Sequence, residues 1–252
     1  MLLYLKRHIS SANILLVKTI KCKHISYFYK ELLMIESSTP KSNTDINNPR
    51  FITDGMNELE RNTKRLIDMF TALVCLIVFS PLFLICYVAI KREDNGPVIF
   101  KQERIGRFGR PFYIYKFRSM RIDAENDGPH LCSDNRDKRL TKTGRFLRAH
   151  HLDELPQLWN IFTGDMAFIG PRPEREHYIN MIMEKDPRYQ CLYQIRPGIT
   201  SMATLYNGYT DTLEKMLKRL EMDLYYLEHR SWWLDAKILS LTFLKIMFGK
   251  KI

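Results

Sequence analysis

The sequence predicts an α+β chain, mainly helical, that is held at a membrane. Three observations carry that expectation. Residues 69–90, MFTALVCLIVFSPLFLICYVAI, run for 22 positions without a charge. Two short segments rich in aromatic and β-branched residues, 98–103 (VIFKQE) and 112–118 (FYIYKFR), are separated by Gly106, Gly109 and Pro111, the pattern of a β-hairpin. Further on, apolar residues recur at helical period, as in 213–227, where Met216, Leu217, Leu220, Leu224 and Leu227 share a face.

Composition narrows the partners. The 252 residues suffice for one ordinary domain or two small ones, and 45% hydrophobic residues is normal for a globular chain. The charge is not normal: 39 Lys and Arg stand against 28 acids, a net +11. That balance favours nucleic acid, an acidic membrane face or phosphorylated substrates. A nucleic-acid binder needs its basic residues on a soluble face with stacking aromatics. Here they flank an apolar run and an acid pair, so no nucleic acid is expected. Five scattered cysteines, odd in number and without CxxC spacing, read as small hydrophobes in a reducing compartment.

Residues 1–34 mix Lys, Arg and His with Leu and Ile, and no uninterrupted apolar h-region marks a secretory signal. Either an amphipathic surface helix or an extension upstream of a start at Met34 or Met56 fits. Residues 36–55, rich in Ser, Thr, Asn and Pro, read as a linker. The expected division is a poorly ordered extension over 1–55 and one membrane-anchored domain over 56–252.

As a straight helix, residues 69–90 would reach roughly 33 Å, the thickness of a bilayer core. Ser80-Pro81 interrupts the middle, where proline removes a donor and clashes with the preceding turn. Arg61, Lys64 and Arg65 precede the run, while Lys91, Arg92, Lys101 and Arg104 follow it. A spanning helix has one basic side. A kinked span and a hairpin that returns to the same side both remain open on these residues alone.

The hairpin region, 101–121, carries seven basic residues and one acid, Glu103. Such a run touches anionic headgroups, but Lys116 and Arg118 share one strand face and are better placed to hold a phosphate. Residues 123–137 form a polar loop, readable as a lid. Basic residues then lead through Arg148 to Asp153 and Glu154, which stand before Pro156, a residue favoured in the first turn of a helix. Leu155, Leu158, Trp159 and Phe162 are expected to form the buried stripe of that helix, with Asp153, Gln157 and Asn160 on another face carrying the chemistry. His150 and His151 lack zinc-site spacing and read as polar filler. Residues 174–195 read as helical, Arg196-Pro-Gly-Ile-Thr as a turn with a further anion contact, and 232–248 as an interfacial helix or, alternatively, a core helix.

An acid pair among arginines permits three chemistries. Glycoside hydrolysis needs carboxyls about 5–9 Å apart across a sugar, which adjacent residues do not naturally provide. A structural pair would cap the helix and bridge Arg148 or Arg172. Phosphoryl transfer would use one carboxylate as nucleophile and the other to hold a divalent cation, with arginines completing the clamp.

The block LDELPQLWNIFTGDM followed by FIGPRP, with KRLIDM, GPVIFKQERIG, YKFRSM and RPGIT in the same order, resembles the bacterial sugar transferases, the monotopic polyprenyl-phosphate phosphoglycosyl transferases. The likeness covers about residues 64–250. It implies a re-entrant helix-break-helix over 66–91 bent at Ser80 and Pro81, a globular part over 96–252, and residence on the cytoplasmic face of the bacterial inner membrane. It implies transfer of a sugar-1-phosphate from a UDP-sugar to undecaprenyl phosphate with release of UMP and use of Mg2+. Asp153 falls on the family's nucleophile, Glu154 on its metal and phosphate handler, and Lys116, Arg118, Arg148, Arg172 and Arg196 on its basic positions. The stretch after RPGIT, SMATLYNGYT, departs from the family pattern, so the sugar is not inferred. The competing expectation is a non-catalytic membrane scaffold of a glycan assembly complex. The oligomeric state is open.

Overall fold

Helix α1 (Glu58–Val78) starts at a reciprocal cap: the Asn57 side chain accepts from the Glu60 N–H, and the Glu60 carboxylate accepts from the Asn57 N–H, both at 2.9 Å. Helix α2 (Ser80–Glu93) follows after Phe79 with a bend of 61°. The bend has a local cause. Pro81 has no N–H for the Ile77 carbonyl four residues back, and the Ser80 hydroxyl donates to that carbonyl instead, at 2.8 Å. Among the described residues no single helix is long and apolar enough to cross a membrane, whereas the bent pair together meets that test.

The computed structural model describes residues 52–93, 96–124, 137–208, 210 and 212–248. All of them belong to one compact unit, Pro49–Ile252. The expected N-terminal extension, apart from 52–55, and the lid over 123–137, apart from its first two residues and its last, lie outside the described residues.

Strands β1 (Ile99–Ile105) and β2 (Pro111–Phe117) form the expected antiparallel hairpin, Ile99 opposite Phe117 and Ile105 opposite Pro111. Next come α3 (Lys142–Ala149), a 3-10 turn at Leu152–Glu154, α4 (Gln157–Thr163) and β3 (Ala167–Ile169). The expected helix over 174–195 is divided into α5 (Glu176–Met183) and a 3-10 stretch, Pro187–Gln194, because Pro187 cannot continue an α-helix and Asp186 caps the new start. Strand β4 (Gly198–Thr200), α6 (Met202–Tyr206), α7 (Leu213–His229) and α8 (Trp232–Phe248) complete the chain.

Strands β3 and β4 pair in parallel, a pairing the sequence did not announce. Two glycines permit it. A Cβ on Gly198 would stand 2.1 Å from the Gly170 nitrogen, and one on Gly170 would stand 2.3 Å from the Arg196 carbonyl oxygen. The fold is therefore α+β, mainly helical, with two two-stranded sheets among the described residues.

Both arms of the bent pair contribute to the core. Ala72 of α1 packs with Ile114, Leu158, Ile161 and Met166, while Cys86 and Ile90 of α2 pack with Val98, Phe117 and Leu147. The opposite face leaves Phe70, Ile77, Val78, Leu84 and Ile85 exposed. Helix α7 buries Met216, Leu220, Leu224 and Leu227, as its period predicts. Helix α8 buries Ile238 and Asp235 but leaves Trp233 80% and Phe243 63% exposed. The Asp235 carboxylate forms an ion pair with Lys64 of α1 at 2.9 Å and accepts from the Tyr226 hydroxyl of α7 at 2.7 Å, tying three helices together.

Candidate active site

The acid pair is placed by α3 on one side and the hairpin on the other. Helix α3 is held firmly at its start. The Thr141 hydroxyl accepts from the Gly144 N–H at 2.9 Å, and the Glu93 carboxylate, at the end of α2, accepts from Lys142 N–H at 2.6 Å and Thr143 N–H at 3.0 Å. Gly144 lets the helix lie on the strand extension, since a Cβ there would meet the Ser119 oxygen at 1.9 Å. At the other end His151 takes a left-handed conformation, φ 56°. That reverses the chain direction and starts the turn carrying Asp153 and Glu154. A non-glycine residue in this region stores strain, which surrounding contacts must hold.

The helix after the pair is oriented differently from the pattern expected of it. Gln157, Leu158, Asn160 and Ile161 are the buried face of α4, and Trp159 is 50% exposed. Asn160 is completely buried and acts as a substitute strand for β2: its Oδ1 accepts from the Tyr115 N–H at 3.1 Å, and its Nδ2 donates to the Tyr113 carbonyl at 2.8 Å. The polar face expected to carry chemistry is thus structural at Asn160. The physical reason is the open edge of β2, whose N–H and C=O groups need partners once α4 covers them. This docking also brings Lys116 of β2 to the pair, where its ammonium donates to Glu154 Oε1 at 2.7 Å.

The two carboxyls sit in different electrostatic surroundings. Asp153 is buried, 7% exposed; burial and then the neighbouring Glu154 charge raise its pKa above 3.8, against the pull of Lys116 and Arg148. Burial also opposes ionisation of Glu154, but Lys116 and then Arg172 outweigh it and bring its pKa down to about 2. One carboxylate is held ionised, while the other keeps its proton more tightly than usual.

Arg148 and Arg172 therefore reach the pair through their charge, and Lys116 by direct contact. Arg118 is buried, with its guanidinium packed where a Gly96 Cβ would stand. Arg196 goes elsewhere. Its Nε donates to the Gly164 carbonyl at 2.8 Å, beside Arg65, which donates to the Ile161 and Phe162 carbonyls at 2.6 and 2.8 Å. These bonds cap the C-terminal end of α4, about 10 Å of helix away from the pair at 1.5 Å per residue. Ser80 and Pro81 lie at the bend and not at the pair. The His150 ring lies tilted against Phe146 at 4.3 Å between centroids, with its Nδ1 at 2.9 Å from the Phe146 carbonyl oxygen, so it remains peripheral.

Among the described residues no three His, Cys, Asp or Glu side chains converge on one point. The donor set on offer is two carboxylates. That fits Mg2+, which keeps several waters and is held through one or two carboxylates plus substrate phosphates, better than it fits zinc.

Residues 59–249 match the family described as bacterial sugar transferase. The chain belongs to that family. The UDP-glucose:undecaprenyl-phosphate glucose-1-phosphate transferase of Klebsiella pneumoniae is 41% identical over 197 residues, covering 77% of this chain and 42% of that protein. A UDP-N-acetylgalactosamine-undecaprenyl-phosphate N-acetylgalactosaminephosphotransferase of Aeromonas hydrophila is 39% identical over 186 residues, 74% of this chain and 44% of that one. The uncharacterized sugar transferase EpsL of Bacillus subtilis is 38% identical over 189 residues, 75% of this chain and 89% of its own length. The chain thus spans less than half the length of the first two bacterial sugar transferases and most of the third.

Sequence reasoning missed Asn160 as a bracket, Arg65 as a cap and Glu93 as a tether. Arg65 lies inside the recognised KRLIDM block, but nothing local links it to carbonyls 96 and 97 residues away.

Proposed function

We propose that the chain transfers a sugar-1-phosphate from a UDP-sugar to undecaprenyl phosphate, with release of UMP, in two steps through Asp153. The observation that carries this reading is the split acid pair: a buried Asp153 beside a Glu154 whose pKa Lys116 and Arg172 bring down, with Lys116 in contact and Arg148 and Arg172 within electrostatic reach. Family membership and the relatives' names supply the reaction class.

In the first step a carboxylate oxygen of Asp153 attacks the β-phosphorus. The bond from that phosphorus to the bridging oxygen breaks, and UMP leaves with the electron pair. In the second step a phosphate oxygen of the lipid attacks the same phosphorus and the Asp153 carboxylate is displaced, giving the lipid diphospho-sugar and the original side chain. A carboxylate approaching a polyanion meets like-charge repulsion, which Lys116, Arg148 and Arg172 offset. Glu154, with Asp153 alongside, would hold Mg2+, which would supply further positive charge for the diphosphate.

The bent α1–α2 pair is read as a re-entrant arm that lies in one leaflet with its exposed apolar face, while α8 rests at the interface through Trp232 and Trp233. Both ends of the arm then sit on the cytoplasmic face of the bacterial inner membrane. Single cysteines placed at Asn57 and Lys91 should react with an impermeant thiol reagent from the same side; labelling from opposite sides contradicts the re-entrant arm. For the chemistry, membranes with the intact chain should release UMP from a UDP-sugar and carry a labelled phospho-sugar adduct, and Asp153→Asn should do neither. Equal UMP release by that variant removes the proposed nucleophile, and no release from any UDP-sugar by the intact chain favours the scaffold alternative.

A further inference from the structure

Arg172 stands between two prolines, Pro171 and Pro173. Its flanks are nevertheless fixed from several directions. The Glu174 carboxylate accepts from Arg219 Nη1 of α7 at 2.6 Å and lies 3.6 Å from Arg104 Nη1 of β1. The same Arg104 nitrogen donates to the Pro173 carbonyl at 3.1 Å, and the Ile105 N–H donates to the Glu174 carbonyl at 3.1 Å. On the other side the Gly198 N–H donates to the Pro171 carbonyl at 2.9 Å. Residues 171, 173 and 174 are thus held by β1, α7 and β4, and Arg172, between them, is the member of the segment whose charge acts on Glu154. The three ion-pairing side chains are 10 to 14% exposed, so solvent screens the clamp far less than it screens a surface pair.

We propose that Glu174 is a positioning residue for the donor half-reaction: by holding Arg104 and Arg219 it fixes the 171–174 backbone so that Arg172 meets the diphosphate beside Glu154. Glu174 itself touches no reacting atom. This deepens the transferase reading and rests on it. A purely structural ion pair tying β1 to α7 would loosen both half-reactions alike and would act independently of Arg172. A positioning residue acts only through Arg172.

The test uses the full chain in membranes, with UDP-glucose and UDP-N-acetylgalactosamine as donors and undecaprenyl phosphate as acceptor. Because a two-step exchange lets kcat/KM for each substrate report its own half-reaction, Glu174→Gln should lower kcat/KM for the donor about tenfold, within the roughly hundredfold that a 1 Å misplacement can cost. The acceptor value should stay within about twofold, and in an Arg172→Ala background the same substitution should cost almost nothing. The fold should tolerate the change, because Asp223 remains beside Arg219. Burial, against the pull of Arg219, pushes the Asp223 pKa up to about 7, and loss of the Glu174 charge favours its ionisation. If Glu174→Gln does not accumulate, Arg104→Gln releases the same segment from the hairpin side and should give the same pattern. No loss, equal loss in both half-reactions, or equal loss with and without Arg172 overturns the positioning role and leaves Asp153 chemistry untouched. No Asp153-dependent UMP release by the unmodified chain with these donors or any other UDP-sugar overturns the transferase reading and this inference with it.

Discussion

At the C-terminal end of α4, Arg65 and Arg196 direct their N–H groups at three main-chain carbonyls, those of Ile161, Phe162 and Gly164. On the approach to its other end, Lys116, Arg148 and Arg172 face Asp153 and Glu154. The residue types are alike and the partners are not. A guanidinium bonded to helix carbonyls satisfies orphan acceptors and opposes the negative end of the dipole, a role within the fold. A cation bonded to a carboxylate has further donors for an anion, since an ammonium carries three N–H groups and only one is needed for Glu154. Position relative to α4 thus separates cations bonded to helix carbonyls from cations whose charge acts on the acid pair.

The strongest way to break that comparison is at the acid pair itself. Asp153→Asn should lower UMP release about a thousandfold or more, as loss of a covalent nucleophile does, with a retained melting temperature. Lys116→Met should lower the donor half-reaction about a hundredfold, the scale of removing one preorganised donor from a developing anion. Loss of its charge also removes the largest force holding the Glu154 proton off.

The pH profile sharpens the contrast further. In the proposed first step Asp153 attacks as the carboxylate, and its pKa is raised above 3.8. The donor half-reaction should therefore fall as pH drops through an apparent pKa above that value. Glu154, at about 2, stays ionised across the range and adds no limb of its own. A rate that is flat down to pH 4 in single-turnover measurements contradicts the assignment.

The smallest effects belong to the capping end. Arg65→Gln should cost about 1–2 kcal/mol of stability, the scale of lost charge-assisted hydrogen bonds, with donor kcat/KM per folded molecule unchanged. Arg196→Gln should follow Arg65 in thermal unfolding. A rise in donor KM without a fall in melting temperature would place Arg196 with the phosphate-facing cations, as the family resemblance implies, and not with the caps.

Much of this was legible locally. Proline at position 81, the glycine-punctuated hairpin, the acids before Pro156 and the stripe of α7 all act over a few residues, where backbone sterics and periodicity decide. The stripe through Trp159 misled because a 3.6-residue period identifies which residues share a face, not which face is covered. The open edge of β2 decided that, and it selected an amide at position 160 over an indole at 159.

What the sequence by itself determined is the family, the break in the apolar run and the identity of the acid pair, because those reside in short stretches whose chemistry is self-contained. Only the tertiary structure decided that Lys116 contacts Glu154 across 38 residues, that β3 and β4 pair through two bare glycine backbones, and which arginines cap α4 and which face the acids. The reason is physical. A long charged side chain can reach many partners, and the choice among them is made by the dense packing of distant segments, which no local pattern records.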